Sequence, residues 1–253
     1  MKTALVLEGG AFRTIFSSGV CDAFLDAGLP MPDYTVGVSA GMAYGVSYLS
    51  RQKRRNLKLL MHYANDRRYM GLRNWINPRN RCYFGLEFAY ETIPNRLVPF
   101  DYDTFAAYPG LAEAVVTDLT SGRAAYLQVP RRDDKFLLLQ ATCAIPLLFP
   151  PIVIDGVPYL DGGCSCPIAL NWALNEGFEK IVVITTRQKG FRKAMPGQRM
   201  VDLYDDFYSD KPLFLADMLT QELRYNTLMD QLDELEADGR ICCVRPQEPI
   251  TIG

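Results

Sequence analysis

The pentapeptide Gly37-Val38-Ser39-Ala40-Gly41 places a serine in the pattern Gly-x-Ser-x-Gly. Such a serine is a nucleophile when a strand precedes it and a helix follows, because the sharp turn between them exposes the hydroxyl. The sequence meets both conditions, with a β-branched run that begins at Tyr34 and a helical segment that ends near Leu49. A serine that only caps the helix is the alternative. We favour a catalytic Ser39, with Gly37 and Gly41 as the small neighbours that let strand and helix approach.

The base that would activate Ser39 is not the usual histidine. A serine hydroxyl reacts only when another group takes its proton. The sole histidine, His62, lies in a Lys/Arg-rich helical segment, whereas the common fold with this elbow places its histidine after nucleophile and acid. A carboxylate is therefore expected, and Asp161 stands out because it ends a predicted strand and precedes Gly162 and Gly163. A β-turn aspartate fits the same local sequence equally well.

A glycine-rich loop follows the first predicted strand and supplies candidate hydrogen-bond donors. Gly9, Gly10 and Ala11 come directly after that strand, and Arg13 follows them. Because the carboxyl ends of parallel strands meet at one edge of a sheet, this loop is expected beside Ser39. Its amides would then stabilise the oxyanion of an acyl-transfer intermediate. A dinucleotide-binding loop is the weaker alternative, since Gly-x-Gly-x-x-Gly is absent.

Strands alternate with helical patterns along most of the chain, which predicts an α/β fold with three layers and a mostly parallel central sheet flanked by helices. No linker divides the chain, so 1–253 is expected to form a single domain. The predicted strands are 3–7, 34–38, 112–118, 124–129, 152–154, 157–160, 181–186 and 241–244, and the predicted helices are 16–27, 40–49, 52–66, 167–175 and 212–238, with 67–83 irregular.

Composition excludes several classes of protein. Apolar residues make up 49% and charged residues 22%, as in ordinary globular domains, and no run is long enough to span a membrane. Seven cysteines without a secretory signal favour free thiols, and their spacing with one histidine predicts no metal site. We expect a cytoplasmic protein that needs no cofactor or metal and binds no nucleic acid. The sequence does not indicate an oligomeric state.

Charge is unevenly distributed although the net charge is only −2. Residues 51–81 contain ten Lys/Arg and one acid, whereas 199–240 contain eleven Asp/Glu and four Lys/Arg. A solvated basic face, packed against the acidic C-terminal region, is the simpler interpretation. The alternative is peripheral contact of 51–81 with an anionic membrane.

The order of these motifs resembles that of the patatin-like phospholipases, particularly their compact bacterial members. A glycine loop, the serine elbow and Asp-Gly-Gly follow one another, and further matching segments extend the resemblance over most of the chain except its last 50 residues. These segments are Leu7-Glu8-Gly9-Gly10, Gly19-Val20, Tyr69-Met70-Gly71-Leu72-Arg73, Ile93-Pro94-Asn95-Arg96 and the stretch from Ile145-Pro146 to Pro167.

The resemblance implies a serine lipid acyl hydrolase, a phospholipase A or esterase, that forms an acyl-enzyme. Ser39 and Asp161 would form a Ser-Asp dyad at the carboxyl ends of the strands, and Gly9, Gly10, Ala11 and Arg13 would form the oxyanion motif. Ala11 and Thr14 stand where the family usually has glycine. That departure leaves a non-catalytic lipid-binding protein or a transacylase as alternatives.

Two expectations about the surroundings of the dyad follow. A carboxylate with an ordinary pKa of ~3.9 is a weak base, so a dry site that raises this value is expected. Apolar residues Ile145 to Phe149, just upstream of the aspartate, line an acyl groove in one interpretation and belong to the buried core in the favoured one.

Overall fold

The computed structural model describes residues 2–76 and 82–251, in which eight strands form one sheet. Most of the neighbouring pairs are parallel, and β3, β4, β5 and β6 form the antiparallel side. The strands are β1 Thr3–Leu7, β2 Tyr34–Val38, β3 Leu111–Asp118, β4 Ala124–Gln128, β5 Ile152–Ile154, β6 Val157–Asp161, β7 Lys180–Ile184 and β8 Cys242–Val244. Their order is β5-β6-β3-β2-β1-β7-β8, with β4 also paired to β3. The mostly parallel α/β fold predicted from the sequence is confirmed.

Helices cover both faces of this sheet. Two short 3₁₀ helices, Ala11–Thr14 and Gly162–Cys164, begin where β1 and β6 end, and a π-helical segment spans Phe88–Leu97. The α-helices in chain order are α1 Ile15–Asp26, α2 Ala40–Leu49, α3 Arg55–Tyr63, α4 Leu72–Trp75, α5 Tyr102–Ala106, α6 Leu137–Thr142, α7 Leu170–Asn175, α8 Gln198–Tyr208, α9 Pro212–Leu219 and α10 Gln221–Ala237.

Alternation along β1 shows why the fold has three layers. Successive side chains of a strand point to opposite faces. Leu5 and Leu7 belong to the larger core, which includes residues of α2 and α6, whereas Ala4 and Val6 belong to a second core with residues of α7 and α10. The four side chains are at most 3% exposed, so β1 is buried from both faces.

The register of β3 brings two distant chain segments together. β2 pairs with β3 as far as Val38 opposite Val115, and β6 pairs with β3 from Asp161 opposite Val116. β4 pairs with residues of β3 that also pair with β2 or with β6, so β4 must lie along the opposite edge of β3. β2 and β6 therefore lie one after the other along the same edge of β3. Ser39, which follows Val38, and Asp161 therefore meet at neighbouring register positions, although 122 residues separate them in sequence.

Several element boundaries differ from those predicted. The helix expected over 52–66 begins only at Arg55, because Arg51 and Arg54 have positive φ. The region 212–238 contains two helices, since the chain turns at Thr220, whose hydroxyl donates to the Ala216 carbonyl. The Asp155-Gly156 turn has positive φ at both residues, as its hairpin sequence requires.

Further differences concern helix lengths and segments without a predicted helix. The helix expected over 167–175 is shortened to α7, and the strand expected over 181–186 ends at Ile184. The region 67–83, predicted to be irregular, contains α4, and its residues 77–81 lie outside the described part of the chain. No helix was predicted for α5, α6, α8 or the π-helical segment.

The basic and acidic segments do not neutralise each other in the described residues. Lys53 pairs with Asp26 and Arg68 with Asp66, whereas acids of 199–240 pair with Lys or Arg between 189 and 245. The expected packing of 51–81 against the acidic C-terminal region is therefore not seen in ion pairs. Arg79 and Arg81 lie outside the described residues.

Candidate active site

Ser39 lies at a strained turn between β2 and α2. Its φ of 54° and ψ of −134° are unusual for a residue with a side chain, and such strain is typical of a nucleophile elbow. The neighbouring glycines make the turn possible. A Cβ at Gly37 would lie 2.7 Å from the Met42 nitrogen, and one at Gly41 would lie 2.6 Å from the Leu7 carbonyl oxygen. The glycines therefore allow α2 to pack directly against the ends of β1 and β2.

Thr142, at the end of α6, holds the elbow from the side. The Ser39 amide donates to the Thr142 hydroxyl oxygen over 2.8 Å, and this hydroxyl donates in turn to the Val115 carbonyl. Thr142 is fully buried, so the two hydrogen bonds are protected from water. This contact could not be predicted from local patterns, because the short helix α6 follows a loop without a recognisable helix start.

Asp161 is a buried carboxylate with a raised proton affinity. It is 7% exposed, and burial raises its pKa from 3.8 to about 6. Hydrogen bonds from the Ser39 hydroxyl and the Gly163 amide, and the charge of Lys193, oppose that rise. The Gly163 amide lies 2.7 Å from Oδ1 of Asp161. Gly162 packs so closely on β3 that a Cβ would meet the Val115 carbonyl oxygen at 2.1 Å.

The loop after β1 lies beside the elbow, as its position in the sequence predicted. A Cβ at Gly9 would come within 2.8 Å of the Val38 carbonyl oxygen and 2.9 Å of the Ser39 Cβ. Among the described residues, the amides of Gly9 and Gly10 make no backbone hydrogen bond outside regular elements. Ala11 adopts a φ of 49°, in the left-handed region that costs an alanine about 1 kcal/mol. The alanine thus takes the conformation that a glycine would adopt freely.

Glu8 anchors this loop from below. The side chain is 4% exposed, and its carboxylate accepts hydrogen bonds from the Thr186 amide at 2.5 Å and the Tyr225 hydroxyl at 2.9 Å. Burial raises the pKa of Glu8, and these hydrogen bonds counteract the rise. The Thr186 hydroxyl also donates to the Gly9 carbonyl over 2.9 Å. The ends of β1 and β7 and helix α10 are thereby joined beneath the glycines.

Two cavities open on either side of Ser39. The first, which we call the polar cavity, has a volume of about 280 Å³ and contains Asp161, the glycine loop and the cations Arg13, Arg187 and Lys193. The second, the apolar cavity, has a volume of about 110 Å³ and is lined mainly by aromatic and aliphatic side chains. Ser39, Ala11 and Ile145 line both. The serine therefore lies at the junction of a charged space and a hydrophobic one.

A third space, which we call the distal cavity, continues from the apolar cavity. Its volume is about 100 Å³, and the two spaces share Ala43, Ala89 and three tyrosines. The tyrosines are Tyr44, Tyr69 and Tyr90, and burial raises the pKa of each. Together the two hydrophobic spaces form a route from the serine towards α3.

Comparison with known proteins agrees with this geometry. The family model described as Patatin-like phospholipase matches residues 5–172, which include the glycine loop, the elbow and Asp161. The chain belongs to the patatin-like phospholipase family.

One curated relative of this patatin-like protein is the uncharacterized protein YjjU of Escherichia coli (strain K12). The two are 29% identical over 198 residues, which is 73% of this chain and 52% of YjjU. The chain thus spans about half the length of the relative that it matches. The part of this chain after residue 172, which includes Arg187 and Lys193, lies beyond the family model.

The predicted site residues lie in or next to the polar cavity. Ser39, Asp161, Gly9, Gly10, Ala11 and Arg13, together with Gly163, line the polar cavity, and Gly37, Gly41 and Gly162 support it through close backbone contacts. Their catalytic and oxyanion-binding roles stay predictions. His62 is exposed on α3, with its ring nitrogen 2.8 Å from the Lys58 carbonyl oxygen, and lines none of the three cavities.

The segment upstream of Asp161 divides between groove and surface. Ile145 and Pro146 line the polar cavity, and Phe149 is buried against the apolar cavity. Leu148 is 42% exposed. Phe149 is thus at once a core residue and a cavity wall, and contact of this segment with an acyl chain stays a prediction.

Two kinds of feature are absent from the described residues. No group of three or more His, Cys, Asp or Glu side chains is arranged to hold a metal ion. No helix in the same residues has the length and hydrophobicity needed to cross a membrane.

Proposed function

We propose that this protein hydrolyses fatty-acyl esters with Ser39 as nucleophile and Asp161 as general base. The observation that carries the proposal is that a strained serine and a buried aspartate lie at neighbouring register positions of β3 and line the same cavity, and burial raises the pKa of that aspartate to about 6. A carboxyl of this pKa is ionised at pH 7 and is also a better proton acceptor than an exposed aspartate. Burial thus gives the carboxylate a pKa close to neutrality, which is the property that lets an imidazole act as the base in the usual triad.

The reaction proceeds in two steps. Ser39 Oγ attacks the ester carbonyl while Asp161 takes the hydroxyl proton, and the oxyanion accepts hydrogen bonds from the amides of Gly9, Gly10 and Ala11. The alcohol leaves with the proton from Asp161, and an acyl-enzyme remains. Water then attacks the acyl-enzyme, Asp161 accepts its proton and returns it to Ser39, and the fatty acid is released.

The apolar cavity supports an acyl substrate. An ester carbonyl at Ser39 directs one substituent into each cavity, and a fatty-acyl chain has the lower free energy in the space lined by Phe12, Phe84 and Phe149. The alcohol part then occupies the polar cavity. This division supports a lipid ester over a peptide or a small hydrophilic ester.

Hydrolysis of short acyl esters by the purified protein tests the assignment. Ser39→Ala and Asp161→Asn are expected to lose activity while thermal unfolding stays cooperative. Full activity in either folded variant contradicts the proposal. Covalent labelling by a fluorophosphonate tests the non-catalytic alternative, because an unactivated serine stays unlabelled. Acyl transfer to an added alcohol in preference to water would identify a transacylase.

The proposal extends to peripheral contact with an anionic membrane through the basic segment 51–81. Its described part exposes large apolar side chains among the cations, with Leu72 and Ile76 78% and 81% exposed. Such a mixture of basic and apolar groups suits the surface of a membrane. Tyr69, three residues before Leu72, lines the apolar cavity, so a lipid bound here lies close to the proposed acyl site.

Vesicle binding tests the membrane contact. Sedimentation with anionic vesicles should exceed that with neutral vesicles and should fall as salt is raised. Equal binding to both kinds of vesicle, or no binding at any salt concentration, contradicts it. A variant with Leu72→Ser and Ile76→Ser should weaken vesicle binding and leave hydrolysis of a water-soluble ester unchanged.

A further inference from the structure

Three cations face the polar cavity without a carboxylate partner. In the described part of the chain, Arg13, Arg187 and Lys193 take part in none of the ion pairs, which engage other Lys and Arg residues. All three are half-buried. Half-buried cations on the wall of one cavity repel one another, and burial and Arg187 both lower the pKa of Arg13. An arrangement that costs free energy in the empty protein is expected to be offset by an anionic ligand.

Aromatic rings hold two of these cations in place. The Arg187 guanidinium lies 4.3 Å from the centre of the Phe191 ring, and Lys193 Nζ lies 4.6 Å from that of Tyr225. A cation on a ring face is positioned while its N–H groups remain available to a ligand. The backbone of Lys193 is fixed as well, because its amide donates to Asn226 and its carbonyl accepts from the same side chain.

Nearby carboxylates offset this charge only in part: Glu222 and Glu8 raise the pKa of Lys193, but burial lowers it, and neither carboxylate forms an ion pair with Lys193 among the described residues. Both oxygens of Glu8 accept hydrogen bonds from Thr186 or Tyr225, so its acceptor capacity is already engaged. Oδ1 of Asp161 accepts a hydrogen bond from the Gly163 amide, and the Ser39 side chain lowers the pKa of the carboxyl. The charge of Lys193 lowers the pKa of Asp161, so the cation acts at the centre of the site. The N–H groups of Arg187 and Lys193 therefore remain available as hydrogen-bond donors to a ligand, and both groups carry a positive charge.

We propose that Arg187 and Lys193 bind an anionic group, of the phosphate type, on the alcohol part of the acyl ester, opposite the acyl chain. This inference rests on the proposed function, because the ester carbonyl must lie at Ser39 for its two substituents to enter the two cavities. A guanidinium donates two parallel hydrogen bonds to a phosphate, and an ammonium adds a point charge. A cavity of about 280 Å³ admits a compact headgroup such as glycerol phosphate.

Selectivity between matched water-soluble esters tests the site in the intact enzyme. The substrates are hexanoyl glycerol 3-phosphate and hexanoylglycerol, used as monomers so that binding to a membrane surface plays no part. We expect kcat/KM to be at least tenfold higher for the phosphate ester. Arg187→Met and Lys193→Met should each lower the preference for the phosphate ester, which is the ratio of the two kcat/KM values, about tenfold. Lys193→Arg should keep most of the preference.

Lys189→Met is the matched control. It removes a cation from the same loop, where Lys189 is exposed and pairs with Glu236. Its selectivity should equal that of the unaltered protein. An equal fall for both esters in Arg187→Met and Lys193→Met, or no fall for either, overturns the anion site.

A binding experiment separates this inference from the proposed hydrolysis. Calorimetry with Ser39→Ala uses the uncleavable hexyl ether of glycerol 3-phosphate and, separately, inorganic phosphate. We expect the ether to bind more tightly than phosphate and to lose at least tenfold in affinity when Arg187 or Lys193 is replaced by Met. Phosphate binding as tight as that of the ether overturns the assignment to an ester headgroup. If binding depends on both cations but neither ester is cleaved, the hydrolase fails and the anion site stands.

Discussion

The polar and apolar cavities meet at Ser39 but are built in different ways. The polar cavity is formed by the carboxyl ends of β1, β2, β6 and β7, whose positions the sheet fixes by hydrogen bonding. The apolar cavity lies against helical and irregular segments, held mainly by aromatic contacts such as that of Phe84 with Phe149 at 4.7 Å. On the proposed function, the chemical steps depend on groups that the rigid ladder positions, and acyl selectivity depends on adjustable packing. Substitution of the groups next to Ser39 in the polar cavity should therefore change the rate for every ester, and substitution in the apolar cavity should change the preference among acyl chains.

The largest expected effect is that of Asp161→Asn. The amide cannot accept the serine proton, so kcat should fall by about three orders of magnitude or more for every acyl chain length. Steady-state kinetics on a series of acyl esters measures this. A loss of kcat confined to esters with long acyl chains would contradict the division between the two cavities, because it would show that Asp161 acts in binding of the acyl chain. Asp206→Asn, on the exposed face of α8, is the control and should be neutral.

Gly9→Ala should give the next largest effect. Its Cβ would lie within 3 Å of Val38 and Ser39 atoms, so the loop must move away from the serine. Displacement of one oxyanion donor lowers kcat by about a hundredfold or more. The control is Gly19→Ala, on the surface of α1, where a Cβ meets nothing within 4 Å. Equal activity of the two variants would contradict a role of this loop in oxyanion binding.

The pH profile should show the base directly. Asp161 must be ionised to accept a proton, and its pKa is raised to about 6. Below pH 6, kcat/KM should therefore fall about tenfold per pH unit, and it should level off above pH 7. A profile that stays flat down to pH 4.5 would show that the carboxylate is not the base. The profile should be the same for short and long acyl chains.

The same shift predicts a gain in stability for Asp161→Asn. Below pH 4 the carboxyl is protonated in both the folded and the unfolded protein, and burial of its charge costs nothing. Between pH 4 and 6 the unfolded chain ionises first, so the advantage of the variant grows, and above pH 6 it is constant. A pKa raised by about 2 units corresponds to about 3 kcal/mol. Urea unfolding of both proteins at pH 4 and pH 8 measures the difference, and an unchanged difference contradicts the burial cost.

Tyr69→Ala should give the smallest effect, confined to the apolar side. Tyr69 stands between the apolar and distal cavities, and its removal joins the two spaces. The ratio of kcat/KM for decanoyl over butanoyl esters should rise several-fold, because more of a long chain is buried at about 0.8 kcal/mol per CH₂. Tyr69→Phe keeps the ring and is the control. A uniform fall at all chain lengths would contradict the assignment of this wall to the acyl chain.

Local sequence patterns were sufficient to predict the position of the serine elbow, but they were insufficient to distinguish Asp161 from an ordinary turn residue. Ser39 was predicted because strand, small residues and helix are adjacent in sequence, and the observed β2 and α2 have the expected bounds. The local sequence fitted Asp161 equally well as a catalytic base and as a β-turn residue. The strand that pairs with it, β3, lies far upstream in the chain, so the local sequence does not show this pairing. Only the pairing of Asp161 with Val116 places this residue beside the elbow, and its role as a base stays a prediction. Long-range register is the information that one local segment does not contain.

Two of the three cations of the polar cavity, Arg187 and Lys193, were not predicted, although a signal was present. Arg187 and Lys193 follow β7, a strongly β-branched strand in a parallel sheet. Residues after such a strand lie at the same edge as those after β1 and β2. The rule applied to the glycine loop therefore applies here as well. Thr142 differs in this respect, since it reaches the elbow from a short helix that no sheet rule positions.

The shared edge of β3 has a consequence for how such an enzyme tolerates change. Ser39 arrives on a strand parallel to β3 and Asp161 on one antiparallel to it, and the two stop one rung apart. Lengthening the exposed loop at 132–135 leaves that spacing untouched, whereas one residue inserted within β6 turns the carboxylate to the opposite side of the sheet. Loops in the long stretch of chain between Ser39 and Asp161 are thus free to vary in length, whereas the number of residues within the paired strands is not.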